Sequence, residues 1–237
     1  MFFYTVLFFS TLLLGVGAVV IHRITKSHEG PHECARLWSR INLLAAGVRV
    51  HMEGLKNIDT ERAYIYAPNH QSWFDIFALS AKLPVQFRWL AKEELFRIPV
   101  LGAAMSAIGY IPIDRGDRRK AFMRMNEAAE KIQRGTSIVI FPEGTRSSTG
   151  VLQDFKKGGF ILAIKSQQPI VPVSISGSHR ILQKGDWKIN PGRIHVRIAA
   201  PIETKSLTSR DRDALSDAVR EAIEENLPLE EGGKMAP

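Results

Sequence analysis

Two short blocks carry the side chains most able to act together on a substrate: Asn69-His70-Gln71-Ser72-Trp73-Phe74-Asp75, and Phe141-Pro142-Glu143-Gly144-Thr145-Arg146-Ser147. The first offers an imidazole with a carboxylate five positions further on. The second offers a guanidinium in a glycine-containing turn. A base and a cation of these kinds can deprotonate a hydroxyl and hold an anionic group, which is what acyl transfer to a phosphorylated alcohol requires.

The spacing inside the first block constrains its geometry. On a straight helix five positions separate two side chains by about 140°. His70 and Asp75 can therefore meet only if His70 lies in a turn and Asp75 reaches back from the first turns of the helix that follows. A neutral imidazole held this way is a suitable general base near neutral pH, because the carboxylate fixes its tautomer and stabilises the imidazolium that forms. The bland alternative is a lone histidine acting as a cap or surface residue.

Both blocks follow apolar, strand-like runs, at residues 63–67 and 137–141. Open α/β sheets place ligands at the carboxyl ends of strands, so the two blocks can share one rim. Gly144 permits a tight backbone path, and the planar fork of Arg146 suits phosphate oxygens. Lys156 and Lys157 could add point charge just before a helix whose amino end also favours anions. Arg115, in the turn 111–117 after another strand-like run, could close on the same phosphate. The competing reading makes residues 143–146 an ordinary solvated turn with Glu143 and Arg146 paired at the surface. Arg118, Arg119 and Lys120 read better as a solvated or membrane-facing basic surface than as substrate contacts.

Absent motifs narrow the chemistry further. The chain has no G-x-S-x-G elbow, P-loop or G-x-G-x-x-G fingerprint, although residues 28–32 read H-E-x-x-H. His28 and His32 have a four-residue spacing, but Gly30-Pro31 between them spoils a helical ligand pair. No metal or other cofactor is expected. Cys34, the single cysteine, is far in sequence from His70 and cannot form an intramolecular disulfide. Direct attack by the acceptor hydroxyl on a thioester is the simplest route; Ser72 is the candidate nucleophile if a covalent route is used.

The elements that must position these groups are legible as alternating short apolar runs and helical segments. Strands are expected at 63–67, 87–91, 110–113, 137–141, 170–175 and 195–199, with helices at 73–80, 117–134 and 159–166. Ser209 can cap a last helix to about residue 226. The alternation predicts an α/β layered domain with a largely parallel central sheet flanked by helices. Residues 1–21 carry no charge and as a helix span roughly 30 Å, about the hydrocarbon thickness of a bilayer. The first cations, Arg23 and Lys26, follow this run, so it is expected to be retained with the rest of the protein on the cytoplasmic side of the membrane. Gly30-Pro31 should break this helix, and an interfacial or packed helix at 33–49 should follow. The expected division is membrane-anchoring helices at 1–47, a catalytic domain at 48–227 and a mobile tail at 228–237.

Charge agrees with a membrane partner. The 237-residue chain carries +8 overall, yet from Pro201 onward nine acids face five cations, a local −4 that leaves +12 on residues 1–200. A basic body beside an anionic leaflet gains roughly 1 kcal/mol per well-placed cation. Nucleic acid is the rival partner for a basic chain, but no nucleic-acid module is recognisable and none is expected.

With these residues in view, the chain resembles the glycerolipid acyltransferase family, in particular its bacterial 1-acyl-sn-glycerol-3-phosphate acyltransferase branch. The likeness runs from about residue 48 to residue 200 and rests on four blocks in order. Residues 69–75 look like the family's N-H-x4-D block, and residues 109–115 like the block with its acceptor-binding arginine. Residues 141–146 look like F-P-E-G-T-R, while 170–175, with Val171-Pro172-Val173, resemble the apolar fourth block. The resemblance implies that His70 deprotonates the sn-2 hydroxyl of lysophosphatidic acid, which attacks a thioester on acyl carrier protein or coenzyme A, with Asp75 orienting His70. It also implies that Arg115 and Arg146 bind the acceptor phosphate with help from Lys156 or Lys157 and that Glu143 and Gly144 shape the site, with Thr145 counted beside them among the substrate-binding residues. Backbone N–H groups would stabilise the oxyanion, and the amino-terminal helices would embed in one leaflet of the inner membrane.

Overall fold

Among the described residues, seven strands form one sheet in the order β1-β7-β6-β2-β5-β3-β4. The structure, a computed structural model, describes residues 1–114 and 116–234. Two helices open the chain, α1 (Phe2–Thr25) and α2 (Glu29–Ala45), followed by β1 (Val48–Glu53) and β2 (Ile65–Pro68). Next come α3 (Phe74–Lys82), β3 (Phe87–Lys92), α4 (Leu101–Ile108), β4 (Ile111–Ile113), α5 (Arg118–Gln133) and β5 (Ser137–Val139). The chain ends with α6 (Gly158–Ser166), β6 (Ile170–Ser176), α7 (Ser178–Ile181), β7 (Gly192–Ile198) and α8 (Arg212–Glu224). Every described pairing is parallel except β6 with β7, so the expected α/β layering with a largely parallel sheet is what the chain adopts.

The sheet is buried on both faces, and strand periodicity divides the core between them. Tyr66 and Val139 turn toward the face covered by α2 and α3, with Phe74, Phe77 and Leu79. Their neighbours Ile65 and Ile138 turn to the other face, against Ala128 and Ile132 of α5, Phe160 and Leu162 of α6, and Val219 of α8. β2 and β5 are adjacent and parallel, with Ile65 opposite Ile138 and Tyr66 opposite Val139. The helix after β2 covers one face and the helix after β5 covers the other. Their carboxyl ends thus form a topological switch point, where the diverging chains leave a crevice.

α1 packs lengthwise rather than standing off the domain. Phe3 near its start meets Phe74 at 5.6 Å between ring centroids, and Ala18 near its end is buried. Thr11 accepts a hydrogen bond from Trp38 Nε1 on α2 at 2.9 Å. The opposite side exposes Phe8, Phe9, Leu13, Val16, Val20 and Ile24. This single helix is long and apolar enough to cross a membrane, and its open apolar face suits it to membrane association.

Several boundaries differ from expectation for local reasons. The break between the first two helices falls at residues 26–28, with Lys26 in the left-handed region (φ 56°). Gly30-Pro31 instead lies in the first turn of α2, where a missing N–H costs no hydrogen bond. α2 ends at Ala45 rather than continuing to residue 49, because Gly47 turns the chain with φ 65°. β1 follows, its alternating exposure hidden in sequence behind the apolar spacing carried over from α2. α4 was not expected; Leu-Gly-Ala-Ala-Met-Ser-Ala-Ile is apolar nearly all round and shows no amphipathic stripe. Thr208, not Ser209, is the cap here, closing a capping box with Asp211 over the 3-10 turn 209–211 that leads into α8. Within the segment expected as a tail, residues 229–231 form a 3-10 turn that packs back on the domain and buries Glu231.

Candidate active site

The turn from β2 into α3 brings His70 and Asp75 together. His70 Nδ1 lies 2.8 Å from Asp75 Oδ2. The same oxygen accepts the backbone N–H groups of Gln71 at 2.7 Å and Ser72 at 2.9 Å. Asp75 is fully buried in the first turn of α3, where the amino-terminal end of the helix favours its negative charge. With a carboxylate accepting at Nδ1, that nitrogen carries the ring proton and Nε2 is left with a lone pair to act as a base. The imidazole is stacked on Phe141, with centroids 3.6 Å apart and planes at 12°. Phe141 in turn stacks on Trp89 at 5.2 Å. The ring is therefore set by a carboxylate in its plane and an aromatic face against it.

The neighbouring β5 end locks this turn from the other side. The His70 backbone N–H donates to Glu143 Oε1 at 2.5 Å, and the Ser147 N–H donates to the His70 carbonyl at 2.8 Å. Glu143 Oε2 accepts both the backbone N–H and the side-chain amide of Gln153, each at 3.0 Å. Glu143 is thus not a surface partner of Arg146; it is a buried clamp on the His70 backbone. Burial pushes its carboxyl up to about 7, against the pull of these N–H donors. Asn69 fixes the strand end, exchanging two hydrogen bonds with the Ile175 backbone at 2.9 and 2.6 Å.

This clamp gives a pH prediction. Folding raises the Glu143 pKa from its ordinary 4.5 to about 7, so between those values the folded protein binds the proton more tightly than the unfolded chain does. Stability is then fullest below about pH 4.5 and falls as pH rises through about 7, by at most about 3 kcal/mol from this group. Denaturant unfolding of the solubilised protein at pH 5, 6, 7 and 8 should show that slope, and Glu143→Gln should flatten it. An identical slope in both proteins would assign the pH dependence to other groups.

The cations are placed unequally. Arg146 follows the clamp, half-buried, with its guanidinium carbon 5.2 Å from the centre of the Trp73 ring; partial burial lowers its pKa. Trp73 belongs to the His70 turn, so imidazole and guanidinium lie on one rim, the arrangement expected of two blocks that each follow a strand. Gly144 has φ 74°, which favours glycine, and the stem of Lys156 lies against it, since a Cβ there would sit 3.2 Å from Lys156 Cγ. Lys157 turns away and pairs with Asp213 on α8 at 3.5 Å. Thr145 Oγ1 and the Arg146 carbonyl accept hydrogen bonds from Lys184 Nζ at 3.3 and 2.9 Å. Arg115 lies outside the described residues, as do the side chains of Arg118 and Lys120. Ser72, the reserve nucleophile, is fully buried, and its hydroxyl donates to the Leu182 carbonyl at 2.7 Å. That hydroxyl is committed to the fold rather than presented to a substrate.

Sequence reasoning missed three supports of this site: Gln153, Lys184 and Glu231. Each sits beside another polar residue, Asp154, Gln183 or Glu230, with no periodicity or motif to single it out, and only tertiary folding brings it to the site.

Comparison with known proteins converges on one family. A family model described as Acyltransferase matches residues 49–176. The chain is 34% identical over 200 residues to a chloroplastic 1-acyl-sn-glycerol-3-phosphate acyltransferase of Arabidopsis thaliana, covering 84% of this chain and 54% of that protein. It is 33% identical over 215 residues to the 1-acyl-sn-glycerol-3-phosphate acyltransferase of Saccharomyces cerevisiae, covering 90% of this chain and 71% of that one. The crystal structure of a 1-acyl-sn-glycerophosphate acyltransferase from Thermotoga maritima superimposes with a TM-score of 0.81 at 28% identity, over 95% of this chain and 91% of that chain. This chain spans just over half the length of the chloroplastic relatives, 54% and 56%.

Proposed function

The chain belongs to the acyltransferase family, among the relatives of the glycerolipid enzymes, and from that premise we propose that it moves an acyl chain from a thioester onto the sn-2 hydroxyl of lysophosphatidic acid, giving phosphatidic acid. The donor is acyl carrier protein or coenzyme A carrying the acyl group. The observation that carries the reading is the His70–Asp75 pair at 2.8 Å, with Arg146 on the same rim.

In this mechanism His70 Nε2 takes the proton of the acceptor hydroxyl while the oxygen attacks the thioester carbonyl carbon. Negative charge moves to the carbonyl oxygen, where backbone N–H groups stabilise it. The new imidazolium is held by Asp75. Collapse of the tetrahedral intermediate breaks the carbon–sulfur bond, and the imidazolium returns its proton to the departing sulfur. No covalent acyl-enzyme is required. Arg146 supplies the planar fork for the acceptor phosphate, Arg115 joins it, and Lys156 adds charge beside Gly144. The amino-terminal helices hold this site at the cytoplasmic face of the inner membrane, where the acceptor resides; residues 1–47 anchor and the remainder catalyses.

The reading is tested by offering the purified enzyme one acyl donor and a panel of lysolipids, namely lysophosphatidic acid, lyso-ornithine lipid and neutral-headgroup lysophospholipids. Lysophosphatidic acid is expected to be preferred. Arg146→Ala should raise KM for it by roughly tenfold to a hundredfold, the scale of one lost charge-assisted contact, with a much smaller change in kcat. No preference for the phosphate monoester, or an unchanged acceptor KM, would overturn the assignment.

A further inference from the structure

Glu231 stands 160 residues from Gln71 in the chain, yet its Oε2 accepts the Gln71 side-chain amide at 2.8 Å. Its Oε1 accepts the Gly177 backbone N–H at 3.0 Å, and the residue is only 5% exposed. The Gln71 amide also donates to the Gly150 carbonyl at 2.8 Å, and its oxygen accepts from Ser178 Oγ at 3.3 Å. Gln71 sits between His70 and Ser72, and its own backbone N–H is one of the groups donating to Asp75 Oδ2. The residue that helps fix Asp75 is therefore itself fixed by a carboxylate from the far end of the chain.

The residue type matters at this point. The Gln71 amide donates to Oε2 and the Gly177 N–H mainly to Oε1, with a longer 3.4 Å contact to Oε2, so a carboxylate serves both with the best geometry. A glutamine would accept from one and set its own NH₂ against the other. The turn carrying Glu231 is secured independently. The Leu152 N–H donates to the Glu231 carbonyl at 3.2 Å, the Lys234 N–H donates to the Glu224 carbonyl at 3.0 Å, and Lys234 pairs with Glu224 at 2.9 Å.

We propose that Glu231 is a positioning residue for the transfer reaction, and that the carboxyl-terminal turn is a strap that holds the His70–Asp75 turn in register through Gln71. The proposal rests on the acyl-transfer reading above. Without Glu231, Gln71 keeps only its links to Gly150 and Ser178, and the backbone N–H aimed at Asp75 loses its support. Small misplacements of a catalytic group from changes remote from the chemistry can cost about 10²-fold in rate. The loss should fall on kcat, because Arg146 and the acceptor phosphate are untouched.

The test is a double-mutant cycle in the full-length membrane enzyme, with Glu231→Ala, Gln71→Ala and the pair, assayed below their melting temperatures. Glu231→Ala should lower kcat roughly tenfold with the acceptor KM within about twofold. The double variant should be no worse than Gln71→Ala by more than about twofold, because the two residues act in series. Glu230→Gln, which removes an exposed pairing with Arg180 at 2.7 Å, should behave like wild type. If Glu231→Ala does not fold, Glu231→Gln enters the same cycle. An unchanged kcat, or single effects that multiply in the double variant, overturns the strap while leaving acyl transfer in place. A wild-type chain inactive on every lysolipid overturns both.

Discussion

Replacing His70 with alanine is expected to lower kcat for acyl transfer by about 10³-fold or more, because general-base assistance contributes roughly 10²–10⁴-fold and the carboxylates beside it, Asp75 and Glu143, are buried and engaged by N–H donors. The fold should survive the change. The clamps on this residue run through its backbone, by its N–H to Glu143 and its carbonyl from Ser147, and alanine keeps both. Asp75 Oδ2 retains two of its three donors, the Gln71 and Ser72 N–H groups. What is lost is the stack on Phe141 and the ring's hydrogen bond to Asp75. The stability cost should therefore be about 1–2 kcal/mol, within the ordinary range for a single substitution. Circular dichroism melting beside single-turnover acyl transfer measures both quantities. A variant that melts normally and retains more than a tenth of wild-type kcat would place the base elsewhere.

Why the candidate site is legible in the sequence, while its supports are not, follows from what each signal depends on. The five-residue spacing of His70 and Asp75 has one geometric solution, a turn before a helix, and that is what β2 and α3 provide. The sharing of a rim by residues 69–75 and 141–147 followed from two apolar runs being parallel strands. Their adjacency, with Tyr66 opposite Val139, is a long-range fact that no local pattern encodes. Glu143 shows the limit of local reading. Beside Arg146 in sequence it looks like half of a surface ion pair, yet Gly144 reverses the backbone between them, so one turns inward to His70 and the other outward over Trp73. Lys156 and Lys157 are neighbours in sequence and part company for a similar reason. Helix α6 begins at once and points the second toward α8. Among the elements, α4 and β1 escaped because neither shows its own period clearly, the first being apolar on most sides and the second continuing the spacing of α2. The acidic end of the chain reads as a mobile tail on composition, and nothing in Leu-Glu-Glu marks one carboxylate as buried, as Glu231 is.

Asp75→Asn should lower kcat by about 10²-fold with little change in either KM, a smaller loss than the base itself, and the hydrogen-bond pattern around this residue explains why. In a catalytic dyad an asparagine can do harm in two separable ways, by removing the charge that stabilises the imidazolium and by presenting an NH₂ that forces the wrong histidine tautomer. Here the second route is closed. Three donors, from the His70 ring and the Gln71 and Ser72 backbones, converge on Oδ2, while Oδ1 is buried with no hydrogen-bond partner. An asparagine must place its carbonyl oxygen where the donors converge and its NH₂ in the vacant position, so Nδ1 keeps its proton and Nε2 stays basic. The remaining loss is electrostatic, the stabilisation of imidazolium by a carboxylate at 2.8 Å. Close charge pairs couple by about 1.5–7 kcal/mol, and the lower half of that range, about 3 kcal/mol, corresponds to about 10²-fold in rate. Measuring kcat and both KM values for wild type, Asp75→Asn and His70→Ala reads this ordering. A collapse as deep as that of His70→Ala would mean that the asparagine has taken the other orientation and that the convergence on Oδ2 does not govern the tautomer.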